Sequence, residues 1–410
     1  VMTRTTAALL PLALLAAGLV RGGPAAALRA QDAPSTSDDE VQKLDKVDPF
    51  TDGDPEKMQA LGVVRYGPFP WADSHTTADV DKVLGEGRVL WLETEHFRIG
   101  CNLATARLPD DSDGRKALQA ECKELHRRLR AFPSRPKRLG PWVRLHLYAA
   151  RCEQAYDEFL RLIGAAEGEF GPDRAYLGLP DKFLLLLFQK KSDMARYMGR
   201  FCNMQVDDSM RFYHDQSRQM LLCISAEGME GFDEQGLHGH VLYGVWQNLM
   251  NGYNGYAYPL PLWLSLGVAH YYSRKVPTKF VNARIRDDES VDPETQNKWA
   301  DKIWRRARHE GACFPFETIA GWSDWDTFGF HHHAQAWSRV DYLMHVDEAK
   351  VGAMLRRLKG VPPGGTFEGQ GDQVRAMAPK LLFDLFELDG PTFDERWREW
   401  VLKTYPKRKD

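Results

Sequence analysis

The sequence predicts an α+β fold, with strands in the first half of the chain and helices in the second half. Short runs rich in β-forming residues precede residue 233, whereas the long segments after it carry apolar residues at helical spacing. The chain has 410 residues, of which 43% are hydrophobic and 12 are tryptophans, so a large core can be buried. We expect an N-terminal α/β region at 49–232 and a helical region at 233–410.

The first 48 residues are expected to lie outside the folded body. Arg4 precedes an apolar run at 5–20, and alanines follow at 25–27, a pattern typical of a secretory signal peptide over 1–30. A retained membrane anchor is the alternative. Charged residues with few large apolar ones predict a disordered linker at 31–48. The protein is therefore expected to be exported, to the periplasm, the cell envelope or the medium, and no later segment predicts a transmembrane span.

The elements of the first half follow from two kinds of pattern. Alternation or a continuous apolar run predicts strands at 89–99, 142–148, 182–188 and 220–225. Leucines at helical spacing predict helices at 113–131 and 153–163, and Ser192 is expected to cap a helix that ends at Phe201.

The second half reads as helix in every long segment. The predicted helices span 234–251, 261–274, 295–309, 331–345, 348–359, 373–387 and 391–404. A glycine- and proline-rich turn at 360–366 lacks the features of a phosphate-binding loop.

Charge and cysteine content restrict the function. A net charge of −3 gives no electrostatic reason to expect nucleic acid as a partner. The six cysteines are widely spaced and include no C-x-x-C pair, which argues against a cysteine zinc site. Free buried thiols and one or two disulfides are both compatible with this pattern.

Histidines and aromatic residues concentrate in three places of the helical region. His238 and His240 open the helix predicted at 234–251, and the next helix contains the segment WLSLGVAHY at 263–271. Three consecutive histidines, His331, His332 and His333, precede the apolar stretch of a later helix.

These features resemble the peptidase-MA-like proteins, exported bacterial proteins of the gluzincin type. The family has HExxH on one helix and W-x-x-E-G-x-A on the next, and 263–271 is similar to the second pattern. The similarity extends to TEHFRIG (94–100), LHLYAARCEQAYDEF (145–159), KFLLLLFQKKSDMARYM (182–198), HAQAWSRVDYLMH (333–345) and FDERWREWVLKTYP (393–406). It implies a gluzincin-like fold, with a sheet, an active-site helix at its edge and a helical lobe.

The resemblance also implies where zinc ligands would stand, and this chain departs from the pattern there. With His240 as the first ligand, Val241 replaces the general base and Gly244 replaces the second histidine. Leu266 stands where the family has its glutamate. Apolar or missing side chains at these degenerate positions predict a packed helix–helix contact in place of a metal.

The remaining histidines leave a metal site open as an alternative. A catalytic zinc needs three protein ligands and an open position. The candidate ligands are His240, His270, His238, His331, His332 and His333. His238 and His240 are two positions apart and point about 200° from each other on a continuous helix. Hydrogen-bonded buried histidines, and an exposed helix start at 331–333, are the interpretations that need no metal.

Two functions therefore follow from the sequence. The first is a non-catalytic binding or scaffolding protein with no cofactor. It would hold a peptide or protein segment in the groove that corresponds to the substrate groove of the family. Tyr243, Trp263 and Tyr271 are candidate groove residues. The second is a divergent zinc-dependent peptidase with a histidine site of unusual composition. A structural protein of the cell envelope, with an apolar-filled groove at Leu266, is a third possibility.

Overall fold

The computed structural model describes residues 44–206, 208–229, 231–283, 296–325, 327–359 and 366–405. The predicted signal peptide, most of the predicted linker and most of the turn at 360–366 lie outside these residues. No helix in the described ranges is both long and apolar enough to cross a membrane.

The described residues form a mixed α+β structure, with a sheet in the first half and helices in the second. The strands are β1 (Arg65–Tyr66), β2 (Pro70–Trp71), β3 (His75–Thr76), β4 (Leu90–Glu93), β5 (Phe97–Cys101), β6 (Phe183–Phe188), β7 (Met210–His214) and β8 (Gln219–Ser225). The helices are α1 (Pro55–Ala60), α2 (Thr77–Leu84), α3 (Ser112–Arg128), α4 (Pro141–Ile163), α5 (Lys191–Phe201), α6 (Glu234–Tyr253), α7 (Leu262–Ser273), α8 (Trp299–Ala307), α9 (Phe316–Ala320), α10 (Phe330–Lys359), α11 (Phe367–Phe386) and α12 (Gly390–Thr404). The predicted fold class is confirmed at this level.

Six strands form the main sheet in the order β1-β4-β5-β6-β8-β7. The strands β5, β6 and β8 are parallel, while β1, β4 and β7 run antiparallel to their neighbours. The run of four leucines in β6 lies at the centre. Leu185 and Leu187 face the large core that contains α4 and α6, while Leu184 and Leu186 face a smaller core with α2 and α5. A strand buried on both faces reads as a continuous apolar run, which is why it was predictable.

The strand predicted at 142–148 is wrong, because these residues are the first two turns of α4. Pro141 stands at the first helical position, where its missing N–H costs nothing. The alternation misled because the first two turns of this helix are buried on all sides. The polar members of the pattern, Arg144 and His146, are buried with ion-pair partners and do not mark a solvent face.

Smaller differences concern boundaries. The predicted strand 89–99 is a hairpin of β4 and β5 that turns at Thr94–His96. The helix α5 begins at Lys191 after an N-cap at Lys190, so Ser192 lies in its first turn. The helices predicted at 331–345 and 348–359 are both present, joined within α10 across a break at Asp347. The short strands β1 to β3, the edge strand β7 and the helices α1, α2 and α9 were not predicted.

The end of the predicted linker belongs to the folded body. The amide of Leu44 bonds to Gly87, and the indole of Trp142 donates to the carbonyl oxygen of Asp45. Asp48 is buried and accepts hydrogen bonds from Tyr66 and His146. The prediction from charged composition therefore placed the boundary between linker and folded body too late in the chain, because Asp48 is charged but fully paired.

All six cysteines are free thiols, so the alternative of one or two disulfides is wrong. Four of them are buried, and Cys202 and Cys313 are half-buried. Burial raises the pKa of the Cys101 and Cys122 thiols to about 11, which keeps both protonated and unreactive at neutral pH.

Candidate functional site

The helix α6 carries the first histidines of the predicted site and is fixed at its start by buried charge. Asp233 caps the helix by accepting from the amide of Gly236. The carboxylate of Glu234 is fully buried and lies 2.9 Å from Arg144 Nη2 and 3.1 Å from Arg151 Nη1 on α4. These ion pairs hold the histidine-bearing turn of α6 against α4.

The residues at the three degenerate positions are packed against neighbouring elements. Val241 is buried in the main core. A Cβ added at Gly244 would come within 2.7 Å of Leu222 Cδ1, so this glycine allows α6 to approach β8 closely. Leu266 is 0% exposed and packs with Leu262 and Phe328. The residues present at these positions do not fit a zinc ion, since none offers a ligand atom.

His240 is held by two neutral polar partners on either side of its ring. Its Nδ1 lies 3.1 Å from Asn282 Oδ1, and its Nε2 lies 2.9 Å from the hydroxyl of Ser209, just before β7. Burial lowers the pKa of His240, and the hydrogen bond to Asn282 partly opposes that effect. Both ring nitrogens are therefore engaged, and the ring is neutral at pH 7.

His238 lies on a different side of α6, as expected for a helix that continues through Gly239. Its Nδ1 is 3.7 Å from Glu121 Oε1 on α3. Burial and the nearby guanidinium of Arg151 hold the pKa of His238 well below its usual range. The two histidines of α6 do not meet at one point.

His270 and His333 are brought together, which the sequence predicted only as one of several pairings. Nε2 of His270 lies 2.9 Å from Nδ1 of His333, so one of these nitrogens donates to the other. The ring of Tyr243 stacks on His270 with centroids 4.5 Å apart. Burial, His333 and Arg274 together hold the pKa of His270 well below its usual range. The two rings form a buried contact between α7 and α10.

The other two histidines of the triple point elsewhere. His331 accepts a hydrogen bond of 2.9 Å from Nη2 of Arg306. His332 accepts from the amide of Gly329 and stacks on Phe314. None of the three histidines is exposed, so the expectation of an exposed helix start at 331–333 is wrong. His333 is buried and the other two are partly buried, because aromatic side chains pack around the start of α10.

One of the three predicted groove residues lies in the core, and the other two are half-buried. Trp263 is fully buried and packs edge-on against Phe316, so it belongs to the core and cannot line a groove. Tyr243 and Tyr271 are half-buried. The ammonium of Lys275 lies 4.6 Å from the ring centroid of Tyr271.

A cavity of about 460 Å³ opens beside the degenerate site. Its walls come from Gly239 on α6, His270 on α7, the chain at 273–282 and the start of α3 at Asp111. The lining carries cations at Arg274, Lys275 and Lys279 and anions at Asp111 and Asp113. The cavity therefore offers both signs of charge next to a neutral histidine.

One group of potential ligands was missed by the sequence analysis. Within the described ranges, three ligand atoms of His, Cys, Asp or Glu come within 4.8 Å of one another only at Glu95, His96 and Glu167. The adjacent Glu95-His96 pair was visible as part of a strand pattern, but nothing in the sequence connects it with Glu167. The candidate histidines of α6, α7 and α10 do not form such a group.

Compared with protein-family models, curated proteins and solved structures, the chain gives no significant match to any of them.

Proposed function

We propose that this protein is a non-catalytic binding protein with a gluzincin-like fold, related to the peptidase-MA-like proteins. Its ligand is a peptide segment held in the cavity between α6, α7 and 273–282. One observation carries this proposal. The positions that would carry the general base and two zinc ligands are packed and hold no polar side chain. A cavity nevertheless lies directly beside them at His270.

The order of elements supports the fold part of the proposal. The segment TEHFRIG ends in β5, and 182–198 forms β6 followed by α5. The two helices of the degenerate motif, α6 and α7, follow the sheet consecutively, and α6 packs on β8 through Gly244. The strand β7 runs antiparallel at the edge of the sheet, next to the turn that contacts His240. A sheet followed by two consecutive packed helices and a helical region is compatible with the proposed fold.

The lining of the cavity supports a peptide as the ligand. A peptide presents amide donors and acceptors along its length and ionised groups of both signs. The cavity supplies amide side chains at Asn282 and Asn297, and opposite charges at Lys279 and Asp111.

A substitution at Gly239 tests the binding site. A Cβ there would lie 3.6 Å or more from its neighbours, and Gly239 lines the cavity, so Gly239→Leu adds side-chain volume at the cavity wall. Immobilised protein is incubated with a library of random octapeptides, retained peptides are identified by mass spectrometry, and their affinities are measured by fluorescence anisotropy. We expect Gly239→Leu to weaken binding by about tenfold or more, equivalent to about 1.4 kcal/mol.

The matched control is Gly199→Leu, at an exposed helical glycine on α5 with a single neighbour 3.9 Å from its Cβ. This variant should retain the same peptides as the unmodified protein. Equal binding by Gly239→Leu, or no retained peptide at all, would overturn the binding-site proposal. Cleavage of library peptides would overturn the assignment as non-catalytic.

A metal-dependent peptidase is the second candidate function. The observation that favours it is the 2.9 Å contact between His270 and His333 at the cavity wall. A catalytic zinc requires a third protein ligand, and no described His, Cys, Asp or Glu completes such a group with these two. Peptide cleavage by the unmodified protein that is abolished in His270→Gln would favour the metal-dependent peptidase over the non-catalytic binding protein.

A further inference from the structure

The turn between β4 and β5 holds a histidine in an unusual setting, remote in sequence from the degenerate motif. His96 follows Thr94 and the exposed Glu95 in this turn, and the residue is only 5% exposed. The imidazole lies flat on Tyr156 of α4, with ring centroids 3.7 Å apart and an interplanar angle of 14°. The ring is therefore fixed in orientation by stacking.

Glu153 of α4 fixes the same ring by hydrogen bonding. Its Oε1 accepts from the backbone amide of His96 at 2.9 Å, and its Oε2 accepts from Nδ1 at 2.6 Å. Because a carboxylate only accepts, Nδ1 must carry a proton. In the neutral imidazole the lone pair is then on Nε2, on the opposite side of the ring. A carboxylate that holds the distal nitrogen in this way is the usual support of a metal-binding histidine.

Nε2 faces the exposed carboxylate of Glu167. Oε1 of Glu167, in a short 3₁₀ helix at Glu167–Glu169, lies 3.4 Å from it. This distance exceeds the roughly 2.7–3.2 Å of an N–H···O hydrogen bond. Two ligands bound at about 2.1 Å with a tetrahedral angle are about 3.4 Å apart. The observed separation is thus the one that two ligands of a single ion would have.

Glu95 supplies the third ligand atom. One oxygen or nitrogen from each of Glu95, His96 and Glu167 lies within 4.8 Å of the other two. Both carboxylates are exposed, so a small side-chain rotation brings them to ligand distance. Three protein ligands leave room for a water molecule, as in tetrahedral sites of mixed nitrogen and oxygen donors.

We infer that Glu95, His96 and Glu167 bind one divalent transition-metal ion of the Zn²⁺ class, with Glu153 as the residue that orients His96. An imidazole with two carboxylates favours Zn²⁺ over Mg²⁺ and Ca²⁺, which prefer oxygen ligands alone. Two ligand carboxylates also balance the charge of a divalent cation. The site is independent of the proposed peptide cavity, which involves none of these residues.

A competing arrangement is a salt-bridge network in which His96 is protonated on both nitrogens and no ion binds. The two arrangements differ in their response to metal. The metal-stripped, untagged full chain is titrated with ZnCl₂ by isothermal calorimetry, and then with MgCl₂. We expect one Zn²⁺ per chain and no comparable Mg²⁺ binding.

Three variants and a matched control identify the ligands. Glu167→Gln and Glu95→Gln change exposed residues and should each weaken Zn²⁺ binding about tenfold or more, while Glu153→Gln should weaken it about 10–100-fold through loss of ring orientation. Glu169→Gln alters the same charge in the same 3₁₀ helix, where Glu169 pairs with Arg356 at 3.5 Å. This control should bind Zn²⁺ as the unmodified protein does.

Two outcomes would overturn the inference. The first is the absence of saturable Zn²⁺ binding, which would leave the salt-bridge network. The second is equal weakening by Glu169→Gln and Glu167→Gln, which would indicate nonspecific attraction by acidic groups. Either result leaves the peptide-binding proposal unaffected, because that proposal is tested at Gly239.

Discussion

Gly267 lies where α7 packs tightly against α10, and replacing it with alanine tests how tightly the degenerate site is packed. A Cβ at this position would lie 2.4 Å from Val340 Cγ2 and 2.6 Å from the carbonyl oxygen of Ala336. The second neighbour is backbone and cannot rotate away. Val340 is fully buried and β-branched, so its side chain has little freedom to move. The two helices must therefore separate.

Two opposing terms set the magnitude. Alanine in a helix is favoured over glycine by about 1 kcal/mol. Inserting a methyl group into a well-packed core costs about 1–3 kcal/mol, and contact with a rigid backbone atom places Gly267→Ala at or above the upper end. The net expectation is a loss of about 2 kcal/mol or more in the free energy of unfolding.

Urea unfolding followed by tryptophan fluorescence measures this change, with Gly239→Ala as the control. Gly239 is also a buried glycine inside a helix, but its added Cβ would meet its nearest neighbour at 3.6 Å. The control should gain about 0.5–1 kcal/mol, because only the helical preference changes. The packing argument fails if Gly267→Ala is as stable as the unmodified protein, or if both variants shift in the same direction.

Three further predictions concern buried charge. Leu266→Glu, which restores the glutamate of the family pattern, should cost about 3–5 kcal/mol because the carboxylate gains no partner; a stable variant in urea unfolding would contradict this. Glu234→Gln should lower the free energy of unfolding by a similar amount, because the buried Arg144 loses its carboxylate partner, while Arg151 keeps Glu121. The exposed-helix variant Glu124→Gln should change stability by less than about 0.5 kcal/mol. Burial keeps the pKa of His238 and His270 well below the usual value, so below about pH 6.5 the unfolded chain binds protons that the folded chain does not. The urea concentration at the midpoint of unfolding should therefore decrease when the pH is lowered from 7.5 to 5.5. A constant or increasing midpoint would refute the conclusion that both buried histidines stay neutral.

The sequence was most informative where burial produces a simple pattern. The four leucines of β6 and the apolar faces of α6 and α7 identified a central strand and two consecutive helices. The replacement of ligand positions by Val241, Gly244 and Leu266 also predicted packing at that place, and the structure has Leu222 and Phe328 against two of them.

The rest depends on contacts between distant residues. The alternation at 142–148 was misleading because polar side chains of α4 find buried partners at Asp48 and Glu234, which no local pattern reveals. The grouping of His96 with Glu167 has the same origin, since a loop after α4 returns to the β4–β5 turn. The fold class can be predicted from the periodicity of apolar residues. Which distant side chains come together can be predicted only once the path of the chain in space is known.

The buried carboxylate of Asp48 has a consequence for proteolysis. It accepts hydrogen bonds from Thr51, Tyr66 and His146, so the segment just before α1 is fastened to both β1 and α4. Cleavage between Asp48 and α1 would release that carboxylate and leave a buried imidazole and a phenol without their acceptor, at a cost of about 1–3 kcal/mol for each unsatisfied group. A proteolytic cut that preserves these contacts must therefore lie before Asp48, and one that also preserves the hydrogen bond from Leu44 to Gly87 must lie before Leu44.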